Sequence, residues 1–267
     1  MNTRQSARRP LANALGYLVA ALTAALGSAC GAGSSRPPVA ADDDEPDHQA
    51  ARAHVHGRAP GGHGIGHAGH PFADAEAQAK TLDDPTRDAW QRPDEVLRAM
   101  ELAPTMSVAD VGAGTGYFAV RLARVVPAGE VIATDIEPNM VRFVSERARR
   151  EGLPNLRAIL ATQSGSGLAR ESFDRILVVH VWHHLPDRGA FARDLSAALR
   201  PGGRLFVVDF AVAARRGPPP SLRVAPESII AELEAAGLTA TVSAVAVPDQ
   251  YIVEARRDVV DVPCSPP

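Results

Sequence analysis

The chain has 267 residues, 45% of them hydrophobic, so it is long enough for one domain with a sizeable core. Aromatic residues make up only 4%, so aliphatic side chains and alanine must fill that core. A net charge of −3 leaves no basic footprint for nucleic acid, and Lys80 is the sole lysine.

Residues 1–30 read as an address. Arg4, Arg8 and Arg9 precede an apolar stretch from Leu11 to Leu26, closed by Gly27-Ser28-Ala29-Cys30. A basic start, an apolar middle and small residues before a cut make an export signal. The segment resembles a bacterial lipoprotein signal, in which Cys30 would carry the lipid. A soluble exported protein and an uncleaved anchor are the alternatives, since the stretch is just long enough to span a bilayer. All three place the domain outside the cytoplasm, held to the membrane by a lipid anchor or by the signal segment in two of them. The second cysteine, Cys264, lies in the 258–267 tail, so lipidation of Cys30 precludes an intramolecular disulfide; a Cys30–Cys264 bridge is the alternative.

Residues 31–71 are rich in Gly, Pro, Ala and acids without apolar periodicity, as in a disordered tether. Six of the nine histidines fall here: His48, His54, His56, His63, His67 and His70. Neutral imidazoles bind Zn, Cu or Ni, but no fixed ligand spacing appears, so a plain tether is preferred to weak metal binding. The folded domain is expected over 72–257.

Within it, Asp94–Leu102 is a short amphipathic helix, with Val96, Leu97 and Met100 on one face. Strands follow at Ser107–Val111, Glu130–Asp135, Leu156–Leu160, Arg175–His180 and Arg204–Asp209. Helices alternate with them at Phe118–Val125, Met140–Glu151 and Phe191–Leu199. A helix at Glu227–Ala236, capped by Gly237, leads to two strands, Thr239–Val247 and Tyr251–Ala255, joined at Pro248-Asp249. Apolar strands separated by helices mean a mostly parallel, seven-stranded sheet with helices on both faces and a C-terminal antiparallel hairpin: a Rossmann-like α/β domain.

The informative stretch is Asp110-Val111-Gly112-Ala113-Gly114-Thr115-Gly116-Tyr117, a strand running through three alternate glycines into a helix. Such a turn needs positive φ and lets a ligand lie against bare backbone. A dinucleotide fingerprint would want glycine where Tyr117 stands. The next strand ends in Asp135, whose carboxylate can accept from two vicinal ribose hydroxyls. Leu199-Arg200-Pro201-Gly202-Gly203-Arg204-Leu205 then turns tightly into a later strand.

From Trp90 to about Ala255 these features resemble class I S-adenosylmethionine-dependent methyltransferases. The stretch from Asp88 to Leu97, together with Trp182-His183-His184-Leu185, looks like a bacterial small-molecule subgroup that often carries export signals. The resemblance implies roles. Gly112, Ala113, Gly114, Thr115, Gly116 and Tyr117 would line the methionine moiety of the cofactor, and Asp110 would hold its amino group. Asp135 would bind the ribose, Ile136 would cover adenine, Ala161 and Thr162 would flank its edge, and His180 would face the methionine end. His183 and His184 are the candidate catalytic bases, with an unperturbed pKa suited to neutrality. Trp90 and Tyr117 are candidate pocket walls.

Arsenic methylation is disfavoured because Cys264 alone cannot replace several thiolates. DNA amino-methylation is disfavoured because His180-Val181-Trp182 is not an Asn/Asp-Pro-Pro-aromatic motif. A small or lipophilic acceptor remains. A non-catalytic envelope protein that retains the fold is the main alternative, and a nicotinamide oxidoreductase a distant one.

Overall fold

A computed structural model describes residues 75–259. The signal segment with Cys30, the histidines of the 31–71 tether and Cys264 lie outside the described residues.

Runs of Val, Ile, Leu and Ala build the parallel half of the sheet: β1 (Ser107–Val111), β2 (Glu130–Asp135), β3 (Leu156–Leu160), β4 (Phe173–Val179) and β5 (Leu199–Phe210). With β6 (Thr239–Val242) and β7 (Gln250–Arg256) the strand order is β3-β2-β1-β4-β5-β7-β6. β7 is antiparallel to both β5 and β6. The chain steps outward from β1 to β3, then returns to the other side of β1 with β4. The crevice at the C-terminal ends of β1 and β4 is therefore the topological switch point, where open α/β sheets bind ligands.

Side chains alternate across the strands and divide the core in two. Ala109, Val111, Ile176, Val178, Leu205, Val207 and Val253 pack with Phe191 and Leu195 of α6 (Arg188–Ala198) and with Ile229 and Leu233 of α7 (Pro226–Ala235). Val108, Val131, Ala133, Leu177, Phe206, Val208 and Ile252 form the opposite face. They meet Val96 of α3 (Pro93–Ala99), Phe118 and Leu122 of α4 (Tyr117–Val125) and Val144 of α5 (Pro138–Arg150). Fully burying each of the valine, leucine, isoleucine and phenylalanine side chains is worth about 1.5–3 kcal/mol.

Three expectations need adjustment. Two helices precede the first expected one: α1 (Ala75–Leu82) and α2 (Arg87–Gln91). β5 begins at Leu199, not Arg204, because Leu199 already pairs with Phe173 before a register shift. Gly202 (φ +79°) and Gly203 make that irregularity possible; a Cβ on Gly203 would stand 2.9 Å from the carbonyl oxygens of both Arg200 and Phe173. β6 ends at Val242, short of Val247. The Ser243 N–H still donates to the Ile252 carbonyl at 2.8 Å, but Val245 and buried Val247 then turn into the α4-side core, and Pro248 has no N–H to extend a ladder.

Candidate functional site

The turn between β1 and α4 is built by backbone geometry. Gly112, Gly114 and Gly116 have φ of +71°, +55° and +83°. The N–H groups of Gly112 and Ala113 donate to the Thr134 carbonyl at 2.8 and 2.9 Å, which ties the turn to the end of β2. A Cβ on Gly112 would stand 2.3 Å from Val181 Cγ2, so the segment after β4 rests directly on this glycine.

Asp135, half-buried at the end of β2, faces the turn. Its Oδ2 accepts from the Gly114 N–H at 2.8 Å and its Oδ1 from the Glu137 N–H at 2.9 Å. Burial raises its pKa despite these donors. The Ile136 N–H also donates to this carboxylate, which with about four lone-pair sites keeps capacity to accept from a hydroxyl. Ile136 follows, half-buried. Ala161 is held beside Asp135 by its N–H, which donates to the Asp135 carbonyl at 2.8 Å; Thr162 is exposed and bridges to Gly165.

Around this turn sit the three buried side-chain oxygens that lack a hydrogen-bond partner among the described residues: Asp110 Oδ2, Thr115 Oγ1 and Thr134 Oγ1. An unmatched buried polar atom costs roughly 1–3 kcal/mol, more if charged. Asp110 is 3% exposed, and burial pushes its pKa up to about 7, against the opposing effects of a backbone hydrogen bond and of Arg87.

His180, the first residue after β4, adopts φ +57°. Its Nε2 lies 2.8 Å from Gln250 Oε1. The Gln250 amide nitrogen donates to the carbonyls of Trp90 (3.1 Å) and Pro248 (3.2 Å), and its oxygen also accepts from Gln91 Nε2 at 2.7 Å. That network orients the amide and assigns the proton of His180 to Nε2. Burial lowers the His180 pKa to about 4, so the ring is neutral near pH 7. It stacks on Phe210 at 4.1 Å and on Trp90 at 6.0 Å. Trp90 thus joins an aromatic cluster at the end of β4.

Trp182, fully buried, donates its indole N–H to Glu232 Oε2 at 2.7 Å and anchors the short 3-10 turn Trp182–His184. Next to it, His183 Nδ1 lies 2.9 and 3.0 Å from the two carboxylate oxygens of Asp209. The side chains of His183 and Asp209 are 4% and 2% exposed, and the Phe210 N–H also donates to Asp209 Oδ1 at 2.8 Å. The carboxylate fixes the proton of a neutral His183 on Nδ1 and leaves the Nε2 lone pair to accept. His184 is exposed, its ring 4.1 Å from that of His183. Asp209 was not among the residues expected from sequence. The available signal was a carboxylate at the end of an otherwise apolar strand.

Tyr117 follows Gly116 at the end of the glycine turn. It is buried at the start of α4, its hydroxyl donates to Asp88, and its ring faces the guanidinium groups of Arg87 at 3.9 Å and Arg121 at 4.0 Å. It fastens α2 to the glycine turn.

Residues 109–207 match the family described as methyltransferase domain. A methyltransferase of Streptomyces halstedii, GfsG, is 35% identical over 48% of this chain and 47% of its own length. The ubiquinone/menaquinone biosynthesis C-methyltransferase UbiE of Pasteurella multocida is 32% identical over 39% of each. The chain thus spans about half, or less, of the length of these curated relatives. The crystal structure of a SAM-dependent methyltransferase from Aquifex aeolicus superposes with a TM-score of 0.62 at 28% identity, covering 68% of this chain and 98% of that one. The parallel sheet with its antiparallel end has the Rossmann-like methyltransferase fold, and the stretch that matches the methyltransferase-domain family runs through the glycine turn at the switch point.

Proposed function

We propose that the chain transfers a methyl group from S-adenosylmethionine to a small or lipophilic acceptor that gives up a proton, with His183 as the base. The buried His183–Asp209 pair carries this reading: a purely structural relic has no need of a carboxylate that fixes one tautomer beside the switch point.

The cofactor supplies a methyl group already activated on a sulfonium. The residues present fit it. Gly112, Gly114 and Gly116 offer bare backbone, Asp110 has an unmatched buried oxygen for a cationic amino group, and Asp135 keeps capacity to accept from a ribose hydroxyl. Ile136 and Ala161 lie next to Asp135, where adenine would follow the ribose. Holding donor and acceptor in line supplies much of the rate. His183 Nε2 takes the acceptor's proton as the new bond forms, and Asp209 stabilises the resulting imidazolium. His180, neutral and tied to Gln250, helps to shape the methionine end without competing for that proton. We further read residues 1–30 as the signal that exports the domain to the cell envelope; lipid on Cys30 in mass spectra of the native protein tests that.

Two measurements bear on the cofactor. S-adenosylmethionine or S-adenosylhomocysteine should raise the melting temperature, by an amount equivalent to about 2.7 kcal/mol at a hundredfold excess over Kd. No shift at millimolar ligand sinks the reading. The second is pH dependence. With its pKa near 7, Asp110 is largely protonated in slightly acid solution. Binding a cationic amino group there releases that proton, so affinity for S-adenosylmethionine should tighten ~10-fold between about pH 6 and about pH 8. Calorimetry in buffers of different ionisation enthalpy would reveal the proton; a flat profile would show that Asp110 is not the partner. The stability of the free domain runs the other way. The folded carboxyl binds its proton more tightly than the unfolded one, so protonation of Asp110 stabilises the fold fully below its ordinary pKa of 3.8, and this contribution fades as pH rises through about 7.

A further inference from the structure

β5 ends at Phe210, and residues 211–225, which lead from it to α7, contain three arginines and no acid in a chain of net charge −3. Arg223 organises this loop. Its guanidinium donates to the carbonyls of Ala214 at 2.7 Å, Val212 at 2.8 Å, Pro218 at 2.9 Å and Arg216 at 3.3 Å. The loop folds back on the site, since a Cβ on Gly217 would stand 2.5 Å from the Phe210 ring. The Arg216 guanidinium carbon lies 5.0 Å from the Trp90 ring centroid. Ala214 and Val224 are buried, yet Val212 and Leu222 are 51% and 54% exposed. Arg215, its side chain 93% exposed, and Arg216 share one carboxylate, Asp249, at 3.9 and 3.3 Å. With Arg223 bound to neutral carbonyls, the loop keeps an excess of positive charge.

Exposed aliphatic tips beside arginines suit the boundary between lipid headgroups and acyl chains, where the aliphatic groups enter and the guanidinium groups meet phosphates. The backbone suits it too. Pro218, Pro219 and Pro220 carry no N–H, and Arg223 satisfies four of the loop's carbonyls, so few polar groups lose partners on leaving water. We propose that the 211–225 loop is a docking surface for an anionic lipid bilayer, entered by Val212 and Leu222 and held by Arg215 and Arg216. Each arginine kept near such a surface strengthens attachment by on the order of fivefold. Phe210, on which Gly217 packs, gives its N–H to Asp209 at 2.8 Å. A lipophilic acceptor leaving the bilayer would therefore enter beside the His183–Asp209 pair. That use of the surface rests on the methyltransferase reading above; the docking itself does not.

The full chain mixed with lipid vesicles tests this. The apolar stretch 11–26 can attach the chain to any vesicle by itself, so the readout has to be local: backbone hydrogen exchange, followed by mass spectrometry, over residues 211–217 and 221–225. Phosphatidylglycerol vesicles should slow exchange there ~5-fold or more relative to phosphatidylcholine vesicles. High salt should remove the difference. Arg215→Gln combined with Arg216→Gln should lose the dependence on lipid charge, and Val212→Ser combined with Leu222→Ser should lose the protection. Native melting temperatures identify folded variants; should the arginine pair fail to fold, Arg215→Gln alone should lose part of the effect. Equal exchange on the two lipids, or protection indifferent to these substitutions, overturns the proposal. Protection that grows with protein concentration in the absence of vesicles means that a second copy covers the loop, and overturns it as well. The melting-temperature response to S-adenosylhomocysteine is scored separately: its absence removes the methyltransferase reading and leaves the docking surface standing.

Discussion

Asp209→Asn should leave the domain folded and its cofactor affinity unchanged while slowing methyl transfer ~10²–10⁴-fold, the range spanned by a positioned acid or base. In the native chain both Asp209 oxygens approach His183 Nδ1, and Oδ1 also accepts from the Phe210 N–H. Asparagine keeps the shape but offers one acceptor oxygen, which the Phe210 N–H retains. Its amide NH2 then faces His183 and donates to Nδ1. That moves the imidazole proton to Nε2 and removes the lone pair that takes the acceptor's proton. His183→Gln should match the loss, and the double variant should be little worse than either single one, because the two residues act as a unit. His184→Gln, altering an exposed ring, should change the rate far less. The decisive readout is the split between turnover of labelled methyl groups and cofactor Kd from calorimetry. A folded Asp209→Asn protein with native turnover would remove His183 from the chemistry.

Gly112→Ala is expected to be the most damaging single methyl group that can be added to the cofactor turn. The position requires φ +71°, and the new carbon would stand 2.3 Å from Val181 Cγ2, on a stiff β-branched side chain. Left-handed strain of about 1–2 kcal/mol and overpacking of about 1–3 kcal/mol add to ~2–5 kcal/mol. For a domain of this size that lowers the melting temperature by roughly 5–15 °C. Displacing the turn should also weaken S-adenosylhomocysteine binding ~100-fold, at 1.4 kcal/mol for each factor of ten. Pairing it with Val181→Ala separates the two causes, since that change removes the overlap and leaves the φ strain. Thermal denaturation should then recover only part of the loss. A Gly112→Ala protein with native melting temperature and affinity would mean that the turn yields freely, contrary to its anchoring on the Thr134 carbonyl.

The two variants probe features that differ in how they are written into the chain. The glycine turn is local: three alternate glycines between an apolar strand and an amphipathic helix specify positive φ within a few residues, and the bounds of β1, β2 and β3 follow from short runs of β-branched and small side chains. Asp135 was legible for the same reason, as the residue that ends β2. Where local signals weaken, the reading drifted. β6 stops at Val242 because Val245 and Val247 find more burial in the core than in the ladder, and propensity alone does not report that competition. The helices α1 and α2 lie at the border of the Gly/Pro-rich tether, and α2 is too short to show a period. The place of Tyr117 in the motif was legible, while the partner of its hydroxyl, Asp88, sits on an element not foreseen.

The alternation of strands and helices, the bare-backbone turn and the acid that follows it were determined by the sequence alone, since each depends on the φ, ψ and burial needs of neighbouring residues. The partners were decided by the tertiary structure: Asp209 for His183, Gln250 for His180 and Gln91, and Arg87 for the turn beside Asp110. These residues are far apart in the chain and meet only because β5 lies beside β4, β7 runs antiparallel to β5, and α2 packs on α4. Strand order is a property of the whole packed sheet, so no local pattern of residues could have named those pairs.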